Sequence, residues 1–237
     1  MNRDIAKTWA QLRAEIPAHV RIVAVTKSLP ATAIAEAVAA GATEIGENYL
    51  QEARAKFGFL LKRSPEPVEG FAKHFIGHVQ SNKARAIVEI FDVVQSVDRI
   101  EAGLALAKAA AAAGKRLPVL IQLNISPAER FGVRPEDAPE LARELRAQAS
   151  LRLDGVMAIG PLGASRAERS RAFELAAGVF ETIGGATLSL GMSDDWREAL
   201  RAGSTMVRLG SALFGGGRRL RGSSRQAVEV SDKVRPT

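Results

Sequence analysis

The chain has 237 residues, 46% of them hydrophobic and 25% charged, a balance that supports a sizeable core and excludes disordered or fibrous classes. The absence of cysteine excludes disulfides and thiolate metal sites and fits a reducing, cytoplasmic setting. The formal charge of +7 is uneven, because residues 218–237 carry six basic side chains against Glu229 and Asp232, so the part before them is only mildly basic.

Near the N-terminus there is no apolar signal core, and Ile5, Trp9, Leu12 and Ile16 fall at helical spacing, which predicts a first helix ended by Pro17. Arg21 to Lys27 follows as a buried strand with a lysine at its tip, closed by Ser28-Leu29-Pro30. Ala31 to Ala40 is expected to be helical with Gly41 as its left-handed stop, Thr43 to Gly46 to be a strand, and the next helix to run through Leu61. Arg63 to Gly70, with two prolines, reads as a surface excursion. Strands are expected at His74–Gly77, Val93–Ser96, Pro118–Leu123, Leu153–Ile159, Thr187–Leu190 and Thr205–Leu209. Helices are expected at Asn82–Phe91, from an Asp98 cap to Gly114, at Pro135–Ala149, from Ser165 to about Ile183, and in a segment opened by Ser193. The Ala-rich run from Leu104 to Ala113 is interrupted by Lys108, so no membrane span is expected.

Eight strand–helix alternations with strands buried on both faces predict a single α/β domain, a (β/α)₈ barrel with an extra N-terminal helix over residues 1–217. A doubly wound open sheet is the alternative, but no Gly-x-Gly-x-x-Gly follows the first strand. Residues 218–237, with Gly222-Ser223-Ser224 and no aromatic to stack on bases, read as a disordered tail dispensable for folding, not a nucleic-acid arm.

In a barrel the tip of the first strand lies on the face that carries chemistry, where the Lys27 amine can attack a carbonyl; the alternative is a solvated loop lysine. Ser189-Leu190-Gly191-Met192-Ser193 and Val207 to Gly215 lie where strands seven and eight leave the sheet, a place where glycines, free N–H groups and serine hydroxyls form a phosphate cradle. Read otherwise, these are turn glycines and caps. An amine and a phosphate site at one mouth point to a phosphorylated aldehyde. His74 and His78, four residues apart along a strand, are about 13 Å apart and too far to share an ion, so no metal is expected. Asp194-Asp195 reads as a helix-start pair in preference to an acid/base pair.

Five ordered motifs carry a resemblance. They are Ala24-Val25-Thr26-Lys27, Gly46-Glu47-Asn48-Tyr49-x-Gln51-Glu52, His74-Phe75-Ile76-Gly77-x-x-Gln80-x-Asn82-Lys83, Leu188-Ser189-Leu190-Gly191-Met192-Ser193-x-Asp195 and Gly203-Ser204-Thr205-Met206-Val207-Arg208. Together they resemble the pyridoxal 5′-phosphate homeostasis protein family, which is similar to the barrel domain of alanine racemase, over residues 2 to 218. The resemblance implies that Lys27 forms an aldimine with pyridoxal 5′-phosphate. It also implies that Arg208 faces the pyridine nitrogen, that Gly210, Ser211 and Ser193 hold the phosphate, and that Asn48 and Met192 border the ring. The chain departs from its relatives at the Pro65 to Gly70 insert, at Glu129-Arg130-Phe131-Gly132 and in the basic tail.

The implied function is a monomeric cytoplasmic carrier and regulator of pyridoxal phosphate and amino-acid pools, in contact with free amino acids and apo-enzymes. The other readings are a pyridoxal phosphate enzyme such as a racemase, and a Schiff-base aldolase, which would need a general acid/base near Lys27 to which the sequence does not point. Efficient racemisation is not expected. Lys27 serves one face of a substrate, the single tyrosine, Tyr49, follows strand two, and the chain ends soon after strand eight, where alanine racemases continue into a domain that supplies a tyrosine.

Overall fold

The computed structural model describes residues 4–63, 70–127 and 130–215. Most of the proline-rich excursion, Glu129, the boundary at 217 and the basic tail lie outside these residues. Eight parallel strands close into a barrel in chain order: β1 (Arg21–Val25), β2 (Glu44–Glu47), β3 (Ala72–Phe75), β4 (Val93–Val97), β5 (Leu117–Leu123), β6 (Leu151–Ala158), β7 (Thr187–Ser189) and β8 (Met206–Leu209). Ring closure is made by β1 on β8, with Val23 opposite Arg208 and Ala24 opposite Leu209. The open-sheet alternative is thereby set aside.

The helices wrap the outside as α1 (Ile5–Glu15), α2 (Ala31–Ala39), α3 (Leu50–Arg63), α4 (Ala84–Ile90), α5 (Ile100–Ala112), α6 (Ala138–Arg146), α7 (Arg166–Ile183), α8 (Trp196–Arg201) and α9 (Ser211–Phe214). The added helix α1 starts at Asp4, whose side chain accepts from Lys7 N, and buries Trp9 and Leu12. Ser165 opens α7 with a reciprocal capping box to Glu168.

Strand alternation divides the apolar residues into two bodies. Outward residues such as Ile22, Ile45, Val94, Ile121, Val156 and Val207 pack under the helices as the main core. Inside the barrel, Val23, Val25 and Met206 form a small apolar plug with Ile76. The lumen is also markedly polar, for His74, Gln95, Ser189 and Arg208 are all buried there.

Several expected boundaries shift. The first strand ends at Val25, not Lys27, since Leu29 N bonds back to Thr26 O and turns the chain. Strand three is Ala72–Phe75, because Gly77 presses against the backbone of Asn48, where an added Cβ would lie 1.9 Å from Asn48 O. Asp98 does not cap α5. Its carboxylate is taken by Arg99 at 2.6 Å and His78 at 3.3 Å, and Arg99 occupies the cap position. Ser193 does not open a helix, as α8 begins at Trp196.

One glycine is demanded by the sheet. The β5–β6 register shifts between Val119 and Leu120, leaving Asp154 as the extra residue of a bulge, and Gly155 beside it has φ 140. A Cβ at Gly155 would lie 2.1 Å from Thr187 O, whereas at Gly178, mid-way along α7, it would meet nothing within 4 Å. Gly155→Ala is expected to destabilise the fold by about 3 kcal/mol or more, and Gly178→Ala to stabilise it by about 0.5–1 kcal/mol. Urea midpoints of the two variants check the opposite signs.

Candidate functional site

The exits of β7, β8, β1 and β2 are neighbours around the barrel mouth. All seven residues named from the sequence lie at or just beyond those exits: Met192 and Ser193 after β7, Arg208, Gly210 and Ser211 at β8, Lys27 after β1 and Asn48 after β2.

Lys27 is the second residue of a tight turn from Thr26 to Leu29, and the next residue, Ser28, takes a left-handed φ of 61. That conformation costs a non-glycine residue about 1 kcal/mol or more, so something must hold it. The holding groups come from β2 and α3. Ser28 N donates to Glu52 Oε1 at 2.5 Å, and Thr26 Oγ1 donates to Glu47 Oε1 at 2.6 Å. Lys56 Nζ joins the two carboxylates, 2.8 Å from Glu47 Oε1 and 2.5 Å from Glu52 Oε1, and also donates to Thr26 O at 2.6 Å. The residues on both sides of Lys27 are thus clamped by one ion triad, of which Glu47 and Lys56 are buried and Glu52 is half-buried. Lys27 itself is exposed, and its amine makes no hydrogen bond or ion pair with the described residues.

Arg208 is the opposite case. Its guanidinium, 4% exposed as a residue, donates from Nη1 to Ser189 O and Ser189 Oγ, both at 2.7 Å, and from Nη2 to Ala158 O at 2.8 Å. Burial lowers its pKa to about 10, opposed by the charge of Asp195, so it remains a cation at neutral pH. Burial raises Asp195 in turn, and the bond from Met192 N pulls the other way.

The remaining residues shape the loops. Gly191 has φ 90, and a Cβ there would lie 2.8 Å from Trp196 Cα, so a side chain would push α8 away. Asp195 sits at the start of α8 as the sequence predicts, yet its carboxylate accepts from Met192 N at 2.6 Å and caps no helical N–H. Ser193 Oγ accepts from Ala212 N at 2.9 Å, stapling the β7 exit to the first turn of α9 beside Gly210 and Ser211. Asn48 Oδ1 is buried without a hydrogen-bond partner. Across the mouth, a cavity of about 650 Å³ is lined by Gln122, Asn124, Arg130, Phe131 and Ile159, and the Phe131 ring stacks on His78 with centroids 3.9 Å apart. Among the described residues no three His, Cys, Asp or Glu side chains converge as a metal site.

The comparisons fit this geometry. Residues 3–217 match the family model described as the alanine racemase N-terminal domain. The chain is 44% identical over 223 residues to the pyridoxal phosphate homeostasis protein of Pseudomonas aeruginosa, covering 90% of this chain and 94% of that one. It is 40% identical over 231 residues to the protein of that name from Escherichia coli K12, covering 90% and 96%. This chain belongs to the pyridoxal phosphate homeostasis protein family. Among solved structures, PipY of Synechococcus elongatus PCC7942, with PLP bound, superposes with a TM-score of 0.82 at 35% identity, over 89% of this chain and all of that one. Within the family frame, the clamp of Glu47, Glu52 and Lys56 is what the sequence reading missed. Its one local signal is the Glu52–Lys56 pair at i,i+4.

Burial raises the Glu47 carboxyl from its ordinary 4.5, with Lys56 and Thr26 bonding against the shift, and Glu47 Oε2 is left unpaired. The folded state holds that proton more tightly than the unfolded chain, so this stabilising contribution is full below the unfolded value and is lost as pH rises through the folded value. Lys56→Met strips the main counter-charge and is expected to cost about 3–5 kcal/mol at pH 7, with a steeper loss between pH 5 and 7 than in the wild type. The double variant Glu47→Gln/Lys56→Met is expected to recover part of that loss and flatten the profile. Denaturation across this pH range checks both.

Proposed function

We propose that this chain binds pyridoxal 5′-phosphate at the β7–β8–β1–β2 quadrant, covalently through Lys27, and acts as a cofactor carrier and regulator in intracellular homeostasis and amino-acid balance. The observation that carries the reading is the pairing of a Lys27 amine without a partner among the described residues, on a turn clamped from both sides, with a buried Arg208 cation on the adjacent strand exit. The named relatives and PipY support the ligand.

The residues present fit the group. A partnerless buried amide oxygen on Asn48 and an unengaged amine on Lys27 offer contacts that the described residues do not satisfy. Arg208 has five N–H groups and gives three hydrogen bonds to protein oxygens, which leaves donor capacity toward a ring nitrogen. Bound pyridoxal phosphate supplies an aldehyde that condenses reversibly with primary amines. Lys27 provides the protein's amine for that condensation, and free amino acids compete with it. Arg208 donates to the pyridine nitrogen and, as a cation, opposes its protonation, which weakens electron withdrawal and favours holding over turnover. The backbone of Gly210 and Ser211 with the Ser193 hydroxyl receives the phosphate. Asn48 and Met192 flank the ring.

Purified protein titrated with pyridoxal phosphate is expected to gain a visible absorption band that is absent from Lys27→Ala, and to surrender the cofactor to apo-enzymes that need it. A band of equal strength in Lys27→Ala would overturn the covalent assignment.

A further inference from the structure

Beyond the Ser189 contact already described, four polar residues in the barrel lumen form a path away from Arg208, hydrogen-bonded as far as His74 and in close polar contact from there to Glu44. Ser189 Oγ, which accepts from Arg208, donates to Gln95 Oε1 at 2.7 Å. Gln95 Nε2 lies 2.9 Å from His74 Nδ1. His74 Nε2 lies 3.0 Å from Glu44 Oε2. That last approach is a close polar contact and not a hydrogen bond: both atoms are buried, and neither has a hydrogen-bond partner. Glu44 Oε1 ends the path 3.4 Å from Arg21 Nη1, at the opposite end of the barrel.

The direction of the path follows from its first member. A guanidinium donates only, so Ser189 must accept there and has one proton to give. That proton goes to the Gln95 carbonyl oxygen, which fixes the amide orientation and turns its NH₂ toward the imidazole. His74 Nδ1 must then accept, and its ring proton sits on Nε2, facing the Glu44 carboxylate. Every dipole along the path presents its negative end toward Arg208 and its positive end toward Glu44.

We propose that Ser189, Gln95, His74 and Glu44 are positioning residues that fix the Arg208 guanidinium and hold it as a cation against the ligand. The effect on the ligand rests on the assignment of Arg208 to the pyridine nitrogen made above. Aligned dipoles ending on a carboxylate oppose the desolvation that lowers Arg208. The polar lumen thereby sets the character of the mouth from a distance, through residues that touch no ligand.

Two measurements test this. In the ligand-free wild type, ¹⁵N-resolved NMR of His74 is expected to show a protonated Nε2 and a bare Nδ1; a proton on Nδ1 would break the path and overturn the proposal, with no cofactor involved. In protein loaded with pyridoxal phosphate, Gln95→Met, near the same shape but without donor or acceptor at that point, is expected to weaken cofactor affinity about tenfold and to move the pH midpoint of the visible band by about half a unit or more. His74→Gln keeps one acceptor and one donor and is expected to move both by less. A folded Gln95→Met with the band, its midpoint and the affinity of the wild type overturns the proposal. Failure of the wild type to show a band contradicts the cofactor reading instead, and the histidine tautomer still decides the path. Should Gln95→Met not fold, the tautomer and the graded response of His74→Gln decide it.

Discussion

Burial of a cation inside the barrel is the constraint on which this structure turns. A guanidinium in an apolar lumen would carry a heavy desolvation penalty, and the chain meets it with oxygens of Ser189 and Ala158 that accept its hydrogen bonds and with the nearby carboxylate of Asp195. Those partners come from β6, β7 and the loop before α8, so the cation can be satisfied only after several strands have closed around it. The lumen then cannot be a simple apolar plug. Its lower part holds Gln95, His74 and Glu44, and Val23, Val25 and Met206 with Ile76 make up only a small apolar cluster.

The second organising element lies outside the lumen. Glu47 points between the barrel and α3 while its neighbour Gly46 faces inward, where a Cβ would meet Val23 Cγ1 at 2.8 Å. A single short strand therefore packs its glycine tightly against Val23 inside the lumen and gives the space beneath α3 its carboxylate. Lys56 and Glu52 complete the clamp, and the clamp maintains the left-handed backbone at Ser28. The strain is local, and its position beside Lys27 sets where that amine stands at the mouth.

The barrel was legible in the sequence because parallel strands buried on both faces are short continuous apolar runs, and runs such as Val93-Val94 and Val119-Leu120-Ile121 are hard to read otherwise. Turn ends marked by glycine, as at Gly41 and Gly114, were legible for the same local reason. The Lys27 turn was not. Its left-handed residue is a serine, so the strand seemed to continue, and the groups that hold it are distant from it in the chain, Glu52 lying 24 residues from Ser28. Asp98 was misread because its cap pattern is satisfied by sequence alone, while the folded protein offers it Arg99 and His78. The lumen path joins residues of β2, β3, β4, β7 and β8, and no local pattern contains it. His74 could be judged from sequence only as a metal ligand or not, since its partners Glu44 and Gln95 become neighbours through strand pairing.

A buried cation, a clamped amine and a serine-stapled loop, each held by different elements, converge on one quadrant of the mouth, and the central claim is that they serve one covalently held ligand. The most direct measurement is borohydride reduction of the protein loaded with pyridoxal phosphate, followed by peptide mass mapping. The account predicts a stable pyridoxyl adduct on the peptide containing Lys27. An adduct confined to other lysines, with Lys27 unmodified, would contradict it.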